Sequence, residues 1–288
     1  MEKLAITYSC MEEFGLQDYF DRIVPYLKSA LTMDLTVAED EDIPIGVSKL
    51  GGLPDLPENV DWFRNPATGE PLSFICQINF QELKSLDEAN KLPAKGMLYL
   101  FYDCSGESWG FAPEDAAAQK VYYYSGSRNN LERKEPPEDY MYKEGLVFGA
   151  AGVGFMPIAD LPYAESEAVE VLELGEEEYD TYCEMVEEFA DYMGDKLLGY
   201  PNIVQSEMEE QCEYVANGID CGNFDGYAEG RARGLAVAAQ DWHLLLQINT
   251  HEDLGMVWGD SGRLFLWIKD SDLARKRFDK AWVILQSY

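Results

Sequence analysis

Residues 74–80 read FICQINF and residues 244–250 read LLLQINT. Aligned on their Gln residues, Phe74, Ile75, Cys76, Gln77, Ile78 and Asn79 match Leu244, Leu245, Leu246, Gln247, Ile248 and Asn249. Downstream, Gly96 opens GMLYLF and Gly262 opens GRLFLW, each reading Gly, any residue, Leu, aromatic, Leu, aromatic. The step from Gln to Gly is 19 residues in one copy (96 − 77) and 15 in the other (262 − 247), a difference that a short loop absorbs. Two elements repeated in the same order predict an α+β fold built mainly of antiparallel sheets, with an internal pseudo-twofold duplication and flanking helices. The period is too long for a solenoid. A single domain over 1–288 is expected, with similar halves at about 45–160 and 196–288 joined by an acidic helical segment at about 164–195.

Side chains alternate along a strand, so Phe74, Cys76, Ile78 and Phe80 are expected to share a core face, as are Leu244, Leu246 and Ile248. The opposite face then holds Ile75, Gln77 and Asn79, matched by Leu245, Gln247 and Asn249. A primary amide both donates and accepts, so it can satisfy the backbone of a facing segment without bringing a charge into low dielectric. Buried polar groups are nearly always bonded, most often to backbone, so Gln77 and Gln247 are expected to bond where the halves or their loops meet. The alternative is a polar cleft between the repeats, with Gln77, Asn79, Gln247 and Asn249 as ligand-binding candidates. Cys76 is no nucleophile on this reading, because its counterpart is Leu246 and the slot asks for an apolar group. His243 and His251 flank the second copy only.

Other elements follow from local signals. Helical spacing over Leu16–Leu31 is interrupted at Pro25, and TMDLTVAED, KVYYYSG and GLVFGAAGVGFMPI read as strands. A short polar helix is expected over Gln81–Asn90, and RNNLERKEPPEDYMYKEG reads as an exposed loop. Ser206 with Glu209 forms a capping box for a helix to Asn217, which Gly218 closes. EEEYDTYCEMVEEFADYM is the strongest helix: Tyr179, Tyr182, Val186, Phe189 and Met193 form one stripe for the core. Its other face carries Glu177, Asp180, Glu184, Glu187, Glu188 and Asp191.

The formal charge of −32, from 54 acids against 22 bases, repels phosphate backbones and anionic lipid, which argues against nucleic-acid and membrane roles. From Ala164 to Asp195 there are thirteen acids and no base, whereas Arg263, Lys269, Arg275, Lys276, Arg277 and Lys280 crowd the C-terminal end. Solubility accounts for such acid in general; a docking surface for a basic protein partner is the sharper reading. The N-terminal MEKLAITYSCMEEFGLQDYF lacks the basic start and apolar core of a secretory signal, so a cytoplasmic address is expected. Cys10, Cys76, Cys104, Cys183, Cys212 and Cys221 are scattered without a CxxC pair. With two histidines besides, no metal, cofactor or catalytic set is expected. DCGNFDG lacks the glycine position and the twelfth-place Glu of a calcium loop.

KLGGLPDLPENVDW, GEPLSFICQINFQEL, LPAKGMLYLFYD, LLGYPNIVQSEMEEQC, LLLQINTHEDLGMVWGDSGRLFLWI and the ending ILQSY together resemble the YwqG family of bacterial proteins, from about Ile45 onward. The resemblance implies an α+β domain of unknown function with no reaction or catalytic residues to carry over; some relatives look like neighbours of toxin systems, which would suit an immunity role. GGLPDLP reads as a rigid turn, LGYP as a helix end with Gly199 in the cap, and WGDSG as a hairpin loop with Gly262 left-handed. Trp62, Trp258 and Asp260 occupy turns, where the turn itself does not require them, and join the site candidates. The expected function is a non-enzymatic protein-binding module, immunity-like in the toxin-neutralising sense. The alternative is an enzyme or small-ligand binder, for which Asp55, Asp103 and Asp260 supply carboxylates alone. Chelator and reductant together should leave the melting transition unchanged, since no compact ligand set or disulfide framework is written in the chain; a fall of several degrees on chelation would overturn this.

Overall fold

A computed structural model describes residues 2–138, 146–222 and 232–288. Its strands are β1 (Lys28–Ala38), β2 (Lys49–Leu50), β3 (Asp55–Pro57), β4 (Ser73–Asn79), β5 (Met97–Tyr102), β6 (Gln119–Tyr124), β7 (Leu131–Arg133), β8 (Ala150–Asp160), β9 (Lys196–Leu198), β10 (Trp242–Asn249), β11 (Arg263–Lys269) and β12 (Trp282–Gln286). β3 and β7 pair with each other; the rest form one ten-stranded sheet in the order β12, β11, β10, β9, β1, β8, β2, β4, β5, β6. The helices are α1 (Glu2–Glu13), α2 (Phe20–Ile23), α3 (Phe80–Leu83), α4 (Glu167–Glu170), α5 (Glu176–Met193), α6 (Glu209–Ala216), α7 (Ala232–Ala239) and α8 (Asp270–Ala274). The architecture is α+β with antiparallel pairing throughout the large sheet.

The pairing pattern recurs along the chain. β2, β4, β5 and β6 lie side by side in that order at one end of the sheet, and β9, β10, β11 and β12 do so at the other. Lys49 faces Gln77 and Leu50 faces Cys76; Lys196 faces Gln247 and Leu197 faces Leu246. Between them β1 and β8 run antiparallel over eleven residues each, and both are crossed over: β1 borders β9, and β8 borders β2.

A bulge falls at the same place in β4 and in β10, between Phe74 and Cys76 and between Leu244 and Leu246. The extra residue reverses the alternation. Ile75 and Leu245 therefore join Cys76, Ile78, Leu246 and Ile248 in the inner core. Phe74 and Leu244 turn outward, against the shared face expected from strict alternation.

The sheet curls until its two edges approach, nearly closing a barrel. Val283 N–H donates to Gln119 Oε1 (2.6 Å), Leu285 N–H to the Trp109 carbonyl (3.0 Å) and Trp282 Nε1 to the Gly110 carbonyl (2.8 Å). These bonds protect the β12 edge. Inside lie Leu98, Leu100, Leu264, Leu266, Val283 and Leu285, with Phe80 stacked on Phe278 at 5.7 Å between ring centroids. Three outer layers cover the sheet: α6 and α7 over Phe265, Trp267 and Ile284; the 53–63 segment and Leu131 over Phe74, Tyr99 and Phe101; α1 and α5 over Ala30 and Ile158.

Several local expectations change. The helical pattern of Leu16–Leu31 stops at short turns ending at Tyr26, because Ala30–Met33 pair as strand. The Gln81–Asn90 helix contracts to Phe80–Leu83, capped by Asn79, whose side chain accepts from Gln81 N–H. Ser206 caps nothing; α6 starts at Glu209 after Met208, though Gly218 does take positive φ. α5 matches its predicted span, but its buried stripe is Tyr182, Met185, Phe189 and Met193, with Tyr179 38% exposed in the first turn. Leu131–Arg133, predicted as exposed loop, is strand; 139–145 and the glycine-rich stretch 223–231 lie outside the described residues. In WGDSG the positive φ belongs to Gly259 and Ser261, not Gly262, and LGYP leaves a strand rather than a helix.

Candidate functional site

Each of the two short strands β2 and β9 begins with a lysine and runs into a tight loop: KLGGLPD at 49–55, KLLGYPN at 196–202. The backbones agree position by position, with φ +60° at Gly51 and +62° at Leu198, then +66° at Gly52 and +81° at Gly199. A Cβ at Gly52 would overlap the carboxylate of Asp40, and one at Gly199 that of Asp160. Those carboxylates hold the lysines. Lys49 Nζ meets Asp40 Oδ1 at 2.7 Å, and Lys196 Nζ meets Asp160 Oδ2 at 2.8 Å and Asn202 Oδ1 at 2.7 Å. The lysines are 0% and 1% exposed. Burial pushes both ammonium groups below their ordinary range, and the neighbouring carboxylates pull them back.

The predicted amides complete these clusters. Gln77 Oε1 accepts from Asp55 N–H (2.8 Å), while its Nε2 donates to the Val47 carbonyl (2.8 Å) and Asp55 Oδ2 (2.7 Å). Gln247 Oε1 accepts from Asn202 N–H (2.8 Å), and its Nε2 donates to the Gly194 carbonyl and Asn249 Oδ1 (both 3.3 Å). Each glutamine thus clamps the loop next to its own strand. Asn79 donates to the Gly46 carbonyl at 2.9 Å. Its N–H donates to Ser48 Oγ (2.8 Å), as Asn249 N–H donates to Asp195 Oδ1 (2.7 Å).

On their outer sides the clusters diverge. In the first, β3 follows the loop and pairs with β7, whose Arg133 reaches Asp55 Oδ1 (3.0 Å), the Ile43 carbonyl (2.8 Å) and the Asp40 carbonyl. In the second, Arg263 Nη1 donates to the Asn202 carbonyl (2.8 Å), where the first uses the Tyr99 hydroxyl on the Asp55 carbonyl. Arg263 Nη2 also lies 3.5 Å from Asp191 of α5. Beside it a groove of about 640 Å³ opens between α5 and residues 201–207. The second cluster adds a histidine: His251 Nε2 lies 2.7 Å from Asp195 Oδ2.

The remaining candidates scatter. Trp62 and Trp258 are buried, their indole N–H groups donating to the Leu72 carbonyl (2.7 Å) and the Asn249 carbonyl (2.9 Å), so both brace turns from within. Asp260 is exposed two residues beyond the buried Trp258 in the same loop. Of the carboxylates considered for an enzyme, Asp55 is committed to Gln77 and Arg133, and Asp103 accepts from Asn65 (3.1 Å). Glu177, Asp180, Glu184, Glu187, Glu188 and Asp191 all stand exposed on α5. Burial pushes the Cys10 thiol up to about 11 and the Cys104 thiol to about 12, and raises Cys76, Cys183 and Cys212 as well, so these sulfurs stay protonated and weakly nucleophilic. The lysine clusters, Arg133 and the His251–Asp195 pair escaped sequence reasoning. KLGGLPD and KLLGYPN were the available signal, hidden because lysine and glutamine stand 28 residues apart in one copy (77 − 49) and 51 in the other (247 − 196).

A family model described as domain of unknown function DUF1963 matches residues 48–287, which run from the first cluster to the end of the sheet. The chain belongs to the DUF1963 family. No curated protein matches it. The DUF1963 match begins at Ser48, so β1 and Asp40 lie before it although both are integral to the DUF1963 sheet and its first cluster.

Gln77→Leu should destabilise the fold by about 1–3 kcal/mol, because the loop groups it serves lose their partners. Asp160→Ala should cost more, about 3–5 kcal/mol, since it strands a buried ammonium. Urea unfolding checks both, and a negligible loss at Gln77 would mean that its face is wet.

The two histidines should give opposite pH slopes. At His251 burial favours the neutral ring, but the bond to Asp195, its charge and that of Asp253 outweigh burial and raise the pKa above 6.5. Its contribution is fully present below about 6.5 and fades as pH rises through the raised folded value. At His243 burial outweighs the pull of Asp270 and lowers the pKa, so its contribution is full above about 6.5 and is lost as pH falls below that through the lowered folded value. His251→Gln and His243→Gln should therefore tilt the curve of stability against pH in opposite directions, as chemical denaturation across this range would reveal.

Proposed function

We propose that the chain is a duplicated β unit serving as a protein-binding module, immunity-like in neutralising or masking a basic partner. The repeated lysine clusters, matched bulges and crossed-over β1 and β8 support copies over about 28–124 and 150–286, which start earlier in the chain than a sequence reading of 45–160 and 196–288. The observation that carries the binding reading is the outer face of α5: six exposed carboxylates in a segment, 164–195, that contains no base. Like charges at helical neighbour spacing each cost a few tenths of a kcal/mol, which a lysine would relieve. Steering of a cationic partner gives that arrangement a use.

The cleft alternative has less support, because Gln77 and Gln247 are spent on their own loops. Replacing Glu177, Glu184, Glu187 and Glu188 with Gln should preserve or raise stability, by at most about 1 kcal/mol. The same change should slow capture of a copurifying basic partner by about tenfold or more at low salt, with the difference shrinking as salt rises. Stopped-flow association against ionic strength decides the matter. A partner whose rate ignores both the substitutions and the salt would leave α5 as a solvated surface.

A further inference from the structure

The two lysine clusters share a loop geometry yet end differently, and the difference marks a site. Asp55 and Asn202 hold the same place, each giving its N–H to a buried glutamine at 2.8 Å. After Asp55 the chain continues as β3, where Leu56 is fully buried beneath β7 and Arg133 lies across the loop. After Asn202 it continues through Ile203 and Val204, which are only half-buried and line the groove beside α5. Where the first half presents a covering strand with an arginine, the second presents an open channel of about 640 Å³.

The charge of that channel is as specific as its shape. Four exposed carboxylates line it, Glu165, Glu187, Asp191 and Glu207, and its one base, Arg263, is already turned to the Asn202 carbonyl and Asp191. Asp160, at its floor, is neutralised by Lys196. Apolar surface from Ile203, Val204 and Ala164 runs between the acids. The lining therefore offers an apolar strip flanked by negative charge, and it is continuous with the face of α5 through Glu187 and Asp191.

We infer that this groove binds an extended basic segment of a partner protein, laid beside residues 202–204 as β7 lies beside β3, with its arginine or lysine side chains against Glu187, Asp191 and Glu207. The assignment rests on the binding reading above and names where on the module the partner is anchored. α5 then has two parts: a distal face that steers, and a groove edge that holds.

The test is a fluorescence anisotropy titration of the full chain with a labelled, end-blocked peptide of alternating arginine and leucine, compared with the same peptide carrying glutamine for arginine. Saturable binding of the arginine peptide alone is expected. Ala164→Trp, which fills the groove without changing charge, should weaken it by about tenfold or more, as should Asp191→Asn combined with Glu207→Gln. Glu177→Gln with Glu184→Gln, outside the groove, should change affinity by less than about twofold. Circular dichroism melts verify that each variant is folded, and the isosteric pair stands in if the tryptophan variant is not. Affinity within about twofold of the native chain in either folded groove variant overturns the assignment. If the distal pair alone weakens binding, the acidic face survives and the groove does not; if the peptide fails to bind the native chain saturably, the groove is lost whatever the steering experiment shows.

Discussion

Two ammonium groups taken out of water organise this protein. Desolvating a lysine costs several kcal/mol, and a carboxylate repays it only when geometry is good and the remaining donors are bonded. Lys196 meets that condition with Asp160 and Asn202, and Lys49 with Asp40. Each contact joins separate stretches: the residue ending or following a long central strand, a short second strand, and in the second cluster the loop beyond it. The carboxylate then occupies the space where a side chain at Gly52 or Gly199 would sit, which is why the loop needs glycine there. With carboxylate and ammonium in place, the loop must pass over the sheet, and the glutamine beneath supplies the acceptor for its N–H.

How much of this was legible depended on range. The repeated strands could be read because their apolar runs are local and the Gln–Asn pair is rare in such runs. Their faces could be read from Cys76 and Leu246 onward but not before, since a bulge at Ile75 or Leu245 leaves no mark in composition yet turns Phe74 and Leu244 to the other face. Helix α5 was readable from its stripe, but periodicity cannot tell how far the layer beneath extends, so Tyr179 was misplaced. Trp62 and Trp258 were read as turn residues that the turn does not require, yet both are buried and serve it, because an indole can brace a turn from inside once its N–H finds a carbonyl. The lysine clusters depend on pairings between Asp40 or Asp160 and a strand whose offset differs between the halves, and one sequence does not encode that offset visibly.

The two ends of the sheet also separate scaffold from specialisation. Bulge, lysine, loop and clamp recur, whereas the outer coverings do not: β7 and Arg133 seal one side, and α5 with residues 201–207 frames the other. Variation on the outside of a constant frame is how loops and added helices acquire distinct roles without disturbing a core. The inner core tolerates little such variation, since Leu100, Leu266 and their neighbours are packed from every side.

The crossing of β1 and β8 bears on how the chain reaches this state. Ala30 and Leu31 lie beside Leu198 and Leu197, and beside Ile158 and Pro157 on the other flank, so the first long strand finds no neighbour until about half of the polypeptide has been synthesised. Contacts of such sequence separation raise the loop-closure entropy to be met before any reward and slow the approach to the native state. In the interval a run of apolar strand is left unpaired, and chains crowded together at that stage can trade β1 between molecules, each completing the sheet of another.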